Sequence, residues 1–150
     1  GLREYLKEII SSFEKTSEKK FILNFDQDSN SKKITKSIEI IYGLRNFVGN
    51  ANKYSSSKVF INLKSDNIIT EIVIEDDGKG YPYDILSKIG EPYLRSSNLS
   101  NKDKSGLGLG IFIGKTLLEK NFATILCRNS KTRSGAEVVI KWNNKDLFKI

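Results

Sequence analysis

The chain has 150 residues, 38% hydrophobic and 29% charged, which describes one soluble globular domain long enough for a proper core. No apolar run approaches the ~18 residues of a membrane span, and Gly1-Leu2-Arg3-Glu4-Tyr5 lacks the basic-then-apolar order of a signal peptide. The net charge of +7 comes from scattered lysines, with small pairs at Lys19-Lys20 and Lys32-Lys33, so no nucleic-acid partner is expected. Cys127 is the only cysteine, and histidine is absent. Intrachain disulfides, cysteine metal clusters, Ser-His triads and imidazole acid–base chemistry are excluded, and a reducing, cytoplasmic setting is expected. Cys127 sits in an apolar run and reads as a buried small hydrophobe.

Residues 2 to about 18 read as an amphipathic helix, with Leu2, Leu6, Ile9, Ile10 and Phe13 on one face. Lys20 to Asp26 alternates as a strand through Phe21, Leu23 and Phe25, and Gln27 to Lys33 is polar and turn-rich. A helix follows from about Lys36 to Tyr54, with Leu44, Phe47, Val48 and Ala51 as its buried stripe. It tolerates Gly43 and Gly49, each costing ~1 kcal/mol against alanine, which close approach by another backbone or a ligand would explain. Lys58–Lys64 and Ile68–Glu75 alternate as a hairpin around Ser65-Asp66-Asn67 and deliver Asp76 at a strand end. Tyr81 to Ile89 reads as a turn and short helix, and Gly90 to Ser105 as a long loop or lid. A helix is expected from Leu107 to about Glu119, then strands Ala123–Arg128 and Ala136–Trp142, and a polar, fraying tail from Asn143.

Three short motifs carry the functional signal through their order in one small domain. Asn46, Asn50 and Lys53 fall at spacings of four and three, so they share one stripe of the central helix. Two amides and an ammonium suit a wall facing a charged, metal-bound ligand; a solvated polar face is the plainer alternative. Asp76-Asp77-Gly78-Lys79-Gly80 offers a strand-end carboxylate, which accepts hydrogen bonds and complements the exocyclic amine of adenine. Gly78 and Gly80 let that loop pass beneath a flat base, while an acidic turn is the alternative. Gly106-Leu107-Gly108-Leu109-Gly110 opens a helix, where free N–H groups favour phosphate; a hinge into a core helix is the alternative.

Magnesium prefers hard oxygens and keeps several waters, and the Asn50 amide oxygen can complete its shell beside a triphosphate. Asn46 can hold a metal-bound water, Lys53 can neutralise phosphate, and Tyr54 offers an aromatic face near the base. Arg95, Lys102 and Lys104 can close over the γ-phosphate, or be ordinary solvated loop charges.

With these residues in view, the chain resembles the ATP-binding catalytic domain of bacterial sensor histidine kinases, within the superfamily of gyrase, the Hsp90 chaperones and MutL. Asn46 to Tyr54 matches the family's N box, and Asp76 to Gly80 its first glycine box. Gly90-Glu91-Pro92-Tyr93 resembles the entry to an ATP lid spanning about 90–106. Gly106 to Gly110 matches the second glycine box, and Ser134-Gly135-Ala136 sits where a last glycine turn is expected. Gly-Glu-Pro-Tyr and the run from Gly106 to Glu119 are similar to the redox-responsive RegB/PrrB kinases.

The resemblance implies an α+β fold, a two-layer sandwich of the Bergerat ATP-binding type. A mixed sheet of about five strands would carry three main helices on one face. It implies ATP and Mg2+ as cofactors, with Asn50 on the metal, Asp76 on adenine and the Gly106 turn around the phosphates. Asn46, Asn50 and Lys53 are the expected catalytic residues.

The gyrase, Hsp90 and MutL branch has a glutamate at the place of Asn46 that activates water. An amide has no accessible basic form, so Asn46 favours phosphoryl transfer to a protein acceptor. In the family that acceptor is a histidine on a separate dimerisation domain. This chain has no histidine, so it is expected to be a catalytic fragment or a module acting on another chain. Docking is expected through the first helix and the lid, with a response regulator served indirectly. The expected parent is a dimer at the inner membrane with this domain in the cytoplasm. A nucleotide-binding regulatory module without transfer activity is the alternative.

Overall fold

The computed structural model describes residues 1–26, 37–87 and 102–147, with side chains from residue 108 onward in the last stretch. The elements run α1 (Leu2–Glu14), β1 (Lys20–Phe25), α2 (Ile38–Tyr54), β2 (Lys58–Ser65), β3 (Ile69–Asp76), α3 (Tyr83–Leu86), α4 (Lys102–Lys120), β4 (Thr124–Asn129), β5 (Ala136–Asn143) and α5 (Asn144–Leu147). The five strands form one mixed sheet in the order β1-β2-β3-β5-β4. Only β1 and β2 pair in parallel. A parallel pair needs a crossover, and α2 lies in the connection from β1 to β2. This is the α+β sandwich expected from the sequence.

Alternation in the hairpin decides which face is covered. Val59, Ile61 and Leu63 of β2, Ile72 and Ile74 of β3, and Val138, Ile140 and Trp142 of β5 are buried together against α1, α2 and α4. The hairpin turn is set by Asp66, whose Oδ1 accepts from Ile68 N at 2.8 Å and Ile69 N at 2.7 Å, an Asx arrangement that fixes the register. The opposite sheet face is polar, with cross-strand pairs Lys141–Glu71 and Arg128–Glu137. Arg133 lies over the Phe60 ring on that side, 3.7 Å from its centroid.

The central helix starts where Ser37 Oγ accepts from Ile40 N at 3.3 Å, an N-cap supplied by a residue type suited to it. Leu44, Phe47, Val48 and Ala51 are all buried along it, as their spacing predicts. Its packing against α4 is unusually close. A Cβ at Gly43 would stand 2.7 Å from Leu118 Cγ, and one at Gly114 2.7 Å from Phe47 Cε2. Each helix therefore inserts a large side chain where the other has none. Gly49 has only ordinary room, 3.4 Å from Phe13 Cζ, so close approach explains Gly43 and not Gly49.

Three boundaries and the exposure of one strand residue differ from the sequence expectation. Helix α1 ends at Glu14, four residues before 18, because Ser17 turns aside to give its hydroxyl to Asn52 Oδ1 at 2.5 Å. In β1, Leu23 is 40% exposed on an edge strand, so only Phe21 and Phe25 of that alternation pack on the core. Helix α4 starts at Lys102, not Leu107, and so takes up the end of the expected lid. Lys102–Ser105 contains no glycine or proline to stop a helix, and extending it satisfies backbone N–H groups internally. The tail does not fray at Asn143. It turns into α5, where Leu147 is fully buried and Asn144 Oδ1 accepts from Thr70 Oγ1 at 2.6 Å. The remainder of the expected lid, 90–101, lies outside the described residues.

Candidate functional site

A cavity of about 610 Å3 opens beside the C-terminal half of α2 and the ends of β3 and β5. Asn50, Tyr54, Asp76 and Gly80 line it. Four residues taken from two separate motifs thus meet around one space.

Asp76 is the last residue of β3 and 3% exposed. Its Oδ1 accepts from Gly78 N at 2.8 Å and from Ala136 N at 3.3 Å, across from the first residue of β5. Among the described residues both hydrogen bonds fall on Oδ1. Burial raises its pKa, and the two backbone donors pull it back only in part. Two glycines make this seat possible. A Cβ at Gly78 would overlap the Tyr54 carbonyl oxygen, and one at Gly135 would overlap Asp76 itself.

The neighbouring Asp77 does a different job. Burial opposes its charge, yet backbone N–H groups of Ser57, Lys58 and Ser56 and the Ser57 hydroxyl together bring its pKa down to about 2. Its Oδ1 accepts from Ser56 and Ser57 N at 2.9 Å each and from Lys58 N at 3.1 Å. Asp77 therefore clips the end of β3 to the turn between α2 and β2. Of two adjacent aspartates, one lines the cavity and the other fastens its rim.

Gly80 has φ +81°, a conformation that favours glycine, and a Cβ there would stand 2.7 Å from Asn129 Oδ1. That Asn129 oxygen accepts from Tyr81 N at 2.6 Å, anchoring the glycine loop to the end of β4. Tyr81 is buried, and its hydroxyl has a pKa well above the ordinary value through burial and the adjoining Cys127 thiol. Burial pushes the Cys127 thiol up to about 11, which makes it an inert neighbour.

Asn50, on α2, lines the same cavity. Its Nδ2 is buried with no hydrogen-bond partner among the described residues. Gly110 of α4 backs it, with a Cβ position only 3.0 Å from Asn50 Oδ1. The unspent Nδ2 donor fits an acceptor such as a phosphate oxygen, and Oδ1 is the atom a hard cation would take. Among the described residues no cluster of three or more His, Cys, Asp or Glu could hold a metal unaided. A magnesium ion beside Asn50 would thus take its other ligands from phosphate and water, as that ion prefers.

The other expected site residues are less gathered. Asn46 donates Nδ2 to the Tyr42 carbonyl at 2.9 Å and is not in the cavity lining. Lys53 is exposed, with its ammonium 5.2 Å from the Tyr54 ring centroid. Gly106 to Gly110 lie inside α4 and do not open it. Inside a helix each N–H is spent on the carbonyl four residues back, so the run does not present a free helix start. Arg95 lies outside the described residues, as do the side chains of Lys102, Lys104 and Leu107. Phe47, Ser55, Tyr81 and Ala136 also line the cavity. Ser55 and Tyr81 directly follow two of the motifs, and that adjacency was the available signal; Phe47 read only as core.

Comparison with known proteins bears on the fold and the family. Residues 35–146 match the family described as histidine kinase-, DNA gyrase B-, and HSP90-like ATPase. Sensor histidine kinase RegB of Cereibacter sphaeroides is 34% identical over 130 residues, covering 77% of this chain and 28% of RegB. Sensor histidine kinase CpxA of Escherichia coli is 28% identical over 97 residues, covering 65% of this chain and 21% of CpxA. The chain thus spans only about a quarter of the length of these relatives. The catalytic domain of histidine kinase ThkA superposes with a TM-score of 0.76 at 19% identity, covering 97% of this chain and 95% of that one. Mycobacterial sensor histidine kinase MprB gives 0.72 at 19% identity, covering 95% and 93%. The likeness to those structures is one of fold, and the match over residues 35–146 makes this chain a member of the histidine kinase-, DNA gyrase B- and HSP90-like ATPase family.

Proposed function

We propose that this domain binds Mg-ATP and passes the γ-phosphoryl group to a histidine on a separate dimerisation domain, as one part of a two-component signalling kinase. The observation that carries the reading is that Asn50 and Asp76 line one and the same cavity. Asp76 accepts from the adenine amine through Oδ2, while Oδ1 stays on Gly78 and Ala136. Gly78 and Gly80 keep the floor low under the base. Tyr54 flanks it, and Lys53 reaches from the helix end toward phosphate.

Asn50 and the α4 run from Gly106 through Leu107, Gly108 and Leu109 to Gly110 form the phosphate end. Their backbone N–H groups become donors when the start of α4 opens. Asn50 would hold magnesium through its amide oxygen, and the ion would supply positive charge against the phosphates. Asn46 orients water near that end, and Arg95 and Lys104 close over the γ-phosphate. None of these residues is a strong base. Catalysis therefore rests on positioning and charge neutralisation. In the parent protein the acceptor helix docks near α1 and the lid, a response regulator receives the phosphoryl group, and the kinase is a membrane-bound dimer with this domain in the cytoplasm.

Mixing the domain with a histidine-bearing helical dimerisation domain and γ-labelled ATP tests the reading. Label on the partner histidine, dependent on magnesium, is expected. Nucleotide binding with every acceptor unlabelled would reduce the domain to a regulatory binding module.

A further inference from the structure

The turn between β4 and β5 reaches across to the end of β3 and the loop that follows it. Ser130 Oγ donates to Glu75 Oε2 at 2.8 Å, and Arg133 Nε lies 3.6 Å from the same oxygen. Ser134, held at φ +66°, donates its hydroxyl to the Gly78 carbonyl at 3.4 Å. Ala136 N reaches Asp76 Oδ1. Asn129, the last residue of β4 and the cross-strand partner of Ala136, completes the series. Its Oδ1 accepts from Tyr81 N at 2.6 Å, and its Nδ2 donates to Tyr81 O at 3.3 Å.

A carboxamide carries a donor and an acceptor side by side, so it can take both backbone groups of one residue as a neighbouring strand would. Tyr81 is placed to need this. Residues 80–82 belong to no helix or strand, and Tyr81 is buried. A buried N–H and C=O must find partners. Among the described residues, the Asn129 side chain is the partner both groups have. The same amide lies against Gly80, where a Cβ would stand 2.7 Å from Oδ1 and 3.0 Å from Cγ. Gly80, Tyr81 and Pro82 all line the cavity. Asn129 is exposed behind them and is not in the lining.

We propose that Asn129 is a positioning residue for the base end of the cavity, its carboxamide fixing the wall from Gly80 to Pro82 against β4 before any ligand arrives. The inference rests on the nucleotide reading above and deepens it. Without the amide, nothing equivalent orders the Tyr81 backbone in the empty domain. The wall is then ordered only on binding, and that cost is subtracted from affinity. Asn50 and Gly110, at the phosphate end, stand on α2 and α4. The loss is therefore the same with and without magnesium.

The test compares the unchanged chain with Asn129→Ala, which removes both bonds to Tyr81. Arg128→Ala is the control, since it breaks the neighbouring pair with Glu137 on the same edge strand and leaves the amide in place. NMR hydrogen exchange follows the Tyr81 N–H without ligand, and calorimetry follows ADP with magnesium and with EDTA. In Asn129→Ala the Tyr81 N–H exchanges faster. ADP affinity falls about tenfold, the size of one or two ordinary hydrogen bonds, and equally in both buffers. Arg128→Ala changes neither reading. Unchanged Tyr81 exchange in Asn129→Ala overturns the proposal, and so does undiminished ADP affinity. An equal loss of ADP affinity in Arg128→Ala overturns it too, because the effect would then belong to the edge strand at large. If Asn129→Ala does not fold, Asn129→Asp, which sets an oxygen against the Tyr81 carbonyl, is read the same way. Should none of the proteins bind ADP while Tyr81 exchange still quickens, the nucleotide reading fails and the anchoring of the wall stands.

Discussion

Replacing Asp76 by Asn separates the fold of the site from its recognition. The asparagine oxygen can keep the bonds now made by Gly78 N and Ala136 N, at 2.8 and 3.3 Å, so the seat between β3 and β5 survives. The buried charge disappears, which removes a desolvation cost. Stability should therefore stay within about 1 kcal/mol of the parent. Binding behaves otherwise. With its oxygen committed to the backbone, the side chain turns Nδ2 toward the cavity and presents a donor to the adenine amine. The loss of a hydrogen bond to a charged acceptor, about 1.5–3 kcal/mol, adds to the penalty of facing donors, about 1–3 kcal/mol. A total of about 2.5–6 kcal/mol corresponds to an affinity loss of roughly a hundredfold at least. Calorimetric titration with ADP measures it, with thermal melting as the check on folding. A folded Asp76→Asn protein with undiminished ADP affinity would refute the assignment of this carboxylate to the base.

Asn50→Ala should weaken ATP more with magnesium present than with EDTA, because in the proposed role it removes an amide oxygen from the metal's shell; equal losses in the two buffers contradict that role. Gly114→Ala adds a methyl 2.7 Å from Phe47 Cε2, so overpacking of about 1–3 kcal/mol should outweigh the ~1 kcal/mol gained in helix propensity. Its melting temperature should fall, and a rise would show that the α2–α4 seam has slack. Asp77 has a folded pKa of about 2 against an ordinary 3.8. Its clip contributes fully above pH 3.8 and is lost as pH falls through about 2. The stability gap between the parent and Asp77→Asn, followed by urea unfolding, should close over that acid range; a gap independent of pH would exclude the ionised clip.

What could be read in advance followed from periodicity. The stripe Leu44, Phe47, Val48, Ala51 and the alternation in β2 and β3 repeat at one period, and burial follows that repeat directly. What could not be read depends on partners far along the chain. Nothing local separates Asp76 from Asp77; the separation comes from Ala136 on one side and the Ser56–Lys58 turn on the other. The start of α4 was placed five residues late because glycines read as an opening, while the continuous helix gives their N–H groups internal partners. Leu147 is one of three apolar residues, with Phe148 and Ile150, in a short tail that shows no clear period, too weak a signal to announce α5, yet it is fully buried. The Asn129–Tyr81 contact joins residues 48 apart and has no signature within either segment.

The seat of Asp76 also ties affinity to folding. One of its donors, Gly78, lies two residues away, but the other, Ala136, is 60 residues downstream on a different strand. Half of the grip on this carboxylate therefore exists only after β5 has docked beside β3. A ligand that needs the carboxylate selects the closed sheet over every partly assembled form, and its binding free energy is added to the cooperative stability of the whole domain.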